Sequence, residues 1–135
     1  MRKSIRTRIR ERAGRRCEYC RFRENDLPLF RFHVEHIIPL KHGGSSDPEN
    51  LAWSCHSCNL SKSSNLSGRD VVTGRVVSLF NPRRQHWHRH FAVEGPRIVG
   101  LTPCGRATIA VLNFNAPRRV EIRKGLLEAG PFSTE

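Results

Sequence analysis

Residues 51–62, LAWSCHSCNLSK, decide the reading of this chain. Leu51 to Ser54 is a short apolar run that suits a buried strand, and Cys55 to Ser64 has the composition of a helix. Cys55 and Cys58 stand at the junction with two residues between them, and Cys17 and Cys20, in CEYC, repeat that spacing upstream. Two such hairpins can present four thiolates to one Zn²⁺ as a closed tetrahedron, with Zn–S bonds of about 2.3 Å. A site closed by four sulfurs holds structure and leaves no position for substrate. Zinc would clamp the N-terminal arm to the start of the Cys55 helix, so that everything between Cys20 and Cys55 becomes an insert held against that helix.

The insert contains FHVEHIIPLKHGG, residues 32–44. Phe30 to His36 alternates loosely and reads as a strand ending near the Ile37-Ile38-Pro39 break. Residues 41–50, KHGGSSDPEN, read as a loop. A carboxylate beside an imidazole, Glu35 and His36, is costly to half-bury unless it has work to do. Hydrolysis of a phosphodiester needs a base for water, which a histidine supplies near neutral pH, and a hard cation held by oxygen or nitrogen ligands. Neighbours on a strand leave opposite faces, although the Ile-Ile-Pro break supplies an irregular end. Asn59 follows Cys58 directly, so a zinc-anchored helix would fix its direction.

The 135 residues suffice for one compact domain, or for a small module with an appendage. Only 37% are hydrophobic and 7% aromatic, a modest core that calls for a cross-link such as a metal. Net charge is +12, and between Arg2 and Arg23 ten Arg or Lys residues face two acids, Glu11 and Glu18. Such an arm attracts polyanions, nucleic acid first among them because arginine suits bidentate phosphate contact; the plainer reading is a solvated basic face. MRKSIRTRIRERAGRR lacks the broad apolar face of a membrane-surface helix. The absence of a long apolar run and of an apolar signal core leads to the expectation of a cytoplasmic protein. Five cysteines there favour metal over disulfides, and Cys104 reads as a small apolar filler at a helix start.

Along the rest of the chain, Ser4 caps a helix through Ala13 with Gly14 as its stop. Val71 to Phe80 reads as a hairpin around Thr73-Gly74, and Asn81-Pro82 opens a helix through about His90. Ile98 to Leu101 reads as a strand. Thr102-Pro103 opens a helix toward Asn113, and Asn115-Ala116-Pro117 opens the last one, which Gly130 and Pro131 end. His86 and His90 have a ligand-like spacing, but Trp87 and Phe91 beside them favour a packed helix. His33 reads as a half-exposed strand residue, His42 and His56 as surface. Residues 67–135 are expected to form a mixed α/β extension packed on a core of residues 1–66.

The order CEYC, EHIIPLKHGG, ENLAWSC, CHSCNLSK resembles the zinc-knuckle branch of the HNH endonucleases, with all elements in order between Cys17 and Lys62. The resemblance implies an α+β fold, a small ββα-metal finger stabilised by a four-cysteine zinc site. It implies metal-dependent hydrolysis of DNA phosphodiester bonds, with His36 as general base. Glu35, where many relatives carry Asp, and Asn59 would hold a catalytic Mg²⁺ or other divalent ion. Asn50 would hold the loop and orient His36 through backbone hydrogen bonds. Cys17, Cys20, Cys55 and Cys58 would bind structural zinc. Arg6, Arg10, Arg15 and Arg16 of the arm, together with Lys62, would contact nucleic acid. The alternative is a non-catalytic, zinc-dependent nucleic-acid-binding module that uses the finger as a scaffold; it shares the cysteines and arginines but has no need of Glu35, His36 and Asn59.

Overall fold

The computed structural model describes residues 3–130 and 132–135. Arg2 of the basic arm and Pro131, expected to end the last helix, lie outside the described residues. The chain forms two compact units, one of Met1–Leu66 with Asn81–Arg84, the other of Ser67–Phe80 with Gln85–Glu135.

The first unit opens with α1, Ile5–Arg12. The Ser4 hydroxyl caps it by accepting from Thr7 N, and Gly14, at φ +65°, stops it in a conformation that glycine adopts without strain. Ile9 is its buried anchor. Strand β1, His33–His36, pairs antiparallel with β2, Leu51–Ser54, in the register Val34 with Trp53 and His36 with Leu51. Helix α2, His56–Lys62, follows directly, and the Cys55 sulfur is its cap, accepting from Cys58 N at 3.4 Å. This is the expected ββα finger. Strand β1 is shorter than the sequence suggests, because residues 24–32 are taken up by a 3₁₀ turn at Glu24–Asp26 and a tight turn at Pro28. The loop between the strands carries two more such turns, Leu40–His42 and Pro48–Asn50.

The second unit holds two hairpins and the remaining helices. Strands β3, Ser67–Arg69, and β4, Val76–Ser78, pair antiparallel. The first strand therefore precedes Val71, where the sequence suggests that it begins. The reason is Asp70, whose carboxylate accepts from Val72 N, Thr73 N and the Thr73 hydroxyl and ion-pairs with Arg106, bending residues 70–75 into a turn.

The helix expected from Pro82 to His90 shrinks to α3, Trp87–His90. Residues 82–84, which belong to the first unit, form only a turn capped by Asn81, and the Arg83 guanidinium pairs with Glu18 of that same unit. Strand β5, Phe91–Glu94, which the sequence reading does not anticipate, pairs with β6, Arg97–Gly100. Helix α4, Pro103–Val111, starts at its Thr102 cap, and α5, Pro117–Ala129, ends at Gly130. Arg119 and Arg123 of α5 are buried and donate to Leu112 O, Asn113 O and Phe114 O, which satisfies carbonyls left open at the end of α4.

Candidate functional site

Four sulfurs organise the first unit. Cys17, Cys20, Cys55 and Cys58 are fully buried, and their Sγ atoms lie within 4.8 Å of one another. Each pair is a knuckle in which a backbone N–H points at the first sulfur, Cys20 N at Cys17 Sγ and Cys58 N at Cys55 Sγ, both at 3.4 Å. Such donors favour thiolate over thiol. The donor set and its burial fit a structural zinc ion.

From that cluster the helix face of the finger is set by spacing. Cys55, Cys58 and Lys62 recur at helical intervals and turn the same way, so Lys62 is buried with them. Its ammonium group spends all three donors on Glu35 Oε1 at 2.5 Å, Ile37 O at 2.9 Å and His36 O at 3.3 Å. The other Glu35 oxygen accepts from the Tyr19 hydroxyl at 2.6 Å. Burial pushes the Glu35 carboxyl up from its ordinary value, while Lys62 and Tyr19 pull it back. Burial and the Glu35 charge raise the Tyr19 phenol well above its usual range, which keeps it a donor.

His36 lies on the other side of β1. It is half-buried, and its Nε2 is 3.0 Å from Ser46 Oγ. Asn50 closes the loop behind it: Oδ1 accepts from Ile38 N at 2.9 Å, and Nδ2 donates to Ile38 O at 2.9 Å and Ser45 O at 2.7 Å. Gly44 sits so close to Ile38 that an added Cβ would lie 1.7 Å from the Ile38 carbonyl oxygen. Only glycine permits that approach. The half-buried Asn59 side chain lies one turn before Lys62 and has no hydrogen-bond partner among the described residues.

The expected residues are therefore sorted by the structure. The four cysteines converge. Asn50 and His36 share one loop. Glu35, expected to hold the catalytic metal, has both oxygens engaged and is only 6% exposed, because the strand's alternation turns it toward α2. Lys62, expected on phosphate, is 1% exposed and belongs to the same buried pair. Of the arm, Arg16 is buried where it bridges to Arg23, and Arg10 is gripped by Glu24 through both Nε and Nη2. Arg15 is exposed, and Arg6 lies over the Trp53 ring, 4.5 Å from its centroid.

Sequence reasoning missed Tyr19 and Ser46. A tyrosine set between two buried cysteines is itself buried and needs a partner for its hydroxyl, a signal that CEYC did carry. Ser46 had no such signal.

A finger of two strands and a helix, closed by thiolates and carrying His36 at the end of its first strand, is the architecture that the sequence order suggested. Residues 17–65, a little over a third of the chain, match the family model described as HNH endonuclease. No curated protein and no solved structure matches the chain. The match points to a nuclease or nucleic-acid-related, metal-dependent function. No helix among the described residues is long and apolar enough to cross a membrane.

Proposed function

We propose that this protein is a nuclease that hydrolyses phosphodiester bonds of DNA at His36. The observation that carries the reading is the loop lock around that histidine, in which Asn50 ties Ile38 to Ser45 and the next residue, Ser46, meets the imidazole. With Nε2–H donated to Ser46 Oγ, Nδ1 keeps its lone pair and can take a proton from water. The strand backbone on the far side is pinned by Lys62 through the His36 and Ile37 carbonyls, so the ring is aimed by fixed main chain. Exposed Arg15 and the Arg6 region supply positive charge for the phosphate backbone.

A divalent cation in HNH chemistry polarises the phosphate and stabilises the leaving oxygen. In this structure the donors expected for it do not fit as a pair, since Glu35 is held by Lys62 and Tyr19 while Asn59 offers a neutral amide. That same observation favours the second reading, a zinc-stabilised binding module without cleavage. Incubating supercoiled plasmid with the zinc-loaded protein, with and without Mg²⁺ or Mn²⁺, separates the two. Nicking by the parent and none by His36→Ala, at equal DNA binding, is the expected result; nicking retained by His36→Ala, or binding with no nicking by the parent, ends the nuclease reading.

A further inference from the structure

On the face of the β1–β2 hairpin that carries Val34 and Trp53 lies a cleft of about 430 Å³, lined by Arg6, Arg31, Phe30, Phe32, Leu27 and Trp53 among others. Glu24 is the acid within it, and its charge is answered by the bidentate contact from Arg10 while it also accepts from the Trp53 indole N–H. Neither Arg6 nor Arg31 has an ion pair of its own among the described residues. Partial burial first, and the nearness of Arg31 second, hold the Arg6 guanidinium below its ordinary value. Glu24 pulls it back up, and with that acid's charge matched by Arg10 the cleft keeps a positive lining that attracts an anion.

Beside the arginines stands the tight turn 27–30. Phe30 N donates to Leu27 O, with Pro28 in the position that pre-sets such a turn. Leu29 at its apex is 85% exposed and Phe30 is 47% exposed. The Phe30 ring is not loose: it stacks flat on His56, with centroids 5.5 Å apart and planes 6° from parallel, and His56 in turn meets His33, Nδ1 to Nε2, at 3.2 Å. A rigid apolar tip flanked by arginines is the construction by which proteins enter a base stack while gripping the phosphates on either side.

We propose that the Leu29–Phe30 tip is a wedge that inserts into the base stack of nucleic acid, while Arg6 and Arg31 hold the adjoining phosphate. The proposal rests on the nucleic-acid part of the function above and not on cleavage.

The test uses the full zinc-loaded chain carrying His36→Ala, so that no strand is cut, and DNA duplexes with 2-aminopurine at successive positions. Binding should raise the fluorescence severalfold at one step and leave distant positions unchanged. Leu29→Ser and the Leu29→Ser/Phe30→Ser pair should abolish that rise and weaken binding about tenfold; the single change, at an exposed apex, guards against misfolding of the double variant. Arg6→Ala and Arg31→Ala should each reduce the slope of log affinity against log salt by about 0.9 and keep the fluorescence rise at saturation. Bound protein with flat fluorescence at every position, an undiminished rise in both serine variants, or no binding at all overturns the wedge. A nuclease that cuts without opening the stack, or a non-cutting protein that opens it, would separate this proposal from the catalytic one.

Discussion

Lys62 Nζ lies 2.5 Å from Glu35 Oε1, and both groups are almost wholly removed from solvent. The pair ties the end of β1 to helix α2, which starts at the cysteine cluster. Removing one member of a buried ion pair leaves the other charged without compensation, which typically costs about 3–5 kcal/mol. Lys62→Met should therefore destabilise the zinc-loaded protein by about that amount in urea unfolding, while adding Glu35→Gln should recover much of the loss. A cost for Lys62→Met near the value of an exposed pair, below about 1 kcal/mol, would place the lysine in water instead.

The thiolate cluster should control folding of the first unit. Structural zinc in small domains supplies about 10 kcal/mol or more of binding free energy, and that energy is folding energy. Purified protein should contain zinc in proportion to chain. Cys58→Ser, which also alters the start of α2, should lose both the metal and part of the helical circular dichroism signal. An apo-protein that keeps that signal and unfolds cooperatively would contradict the assignment.

Asn50 makes three hydrogen bonds that hold the loop carrying His36 and Ser46. Asn50→Ala should cost about 0.5–1.5 kcal/mol through the lost hydrogen bonds, since water can reach the Ile38 groups. If the imidazole is aimed by this loop, nicking should fall about 100-fold with DNA affinity unchanged. Gly44→Ala should reproduce the rate loss, because its Cβ would displace the Ile38 carbonyl. Equal rates for parent and Asn50→Ala would show that the lock does not serve His36.

Asp70 predicts the acid behaviour of the second unit. Its hydrogen-bonded ion pair with Arg106, helped by the Thr73 hydroxyl and the Val72 and Thr73 amides, holds its carboxyl well below the usual range against the opposing effect of burial. A depressed carboxyl stabilises the folded state above the unfolded value of about 3.9 and loses that stabilisation as pH falls below it. Thermal midpoints should drop between pH of about 4 and about 2. Asp70→Asn should be less stable at pH 7 and flatter in that window; parallel curves for the two proteins would remove Asp70 from the account.

Much of the finger was readable in the sequence because its determinants are local. Leu51–Ser54 is apolar at every position but the last and is buried at every position. Cys55 belongs to the sulfur cluster and also caps α2, so the helix begins where the spacing says. The roles of Glu35 and Lys62 were less accessible. The signal for Lys62 was present in its helical interval from Cys55 and Cys58, yet the charge of a lysine argues for solvent unless a partner is known, and the partner sits on another strand. Arg16 was misread for the same reason, as its burial follows from the backbone bridge to Arg23.

Beyond the finger, Pro82 carried a helix-start signal that the ion pair of Arg83 overrode, and β5 was hidden because FAVE resembles a helix end until its partner strand is seen. The family model stops at residue 65 and says nothing of that half.

Tyr19 stands inside the first cysteine knuckle, and its hydroxyl holds the residue before His36. A change at the sulfurs is thereby one aromatic ring away from the strand position next to the imidazole.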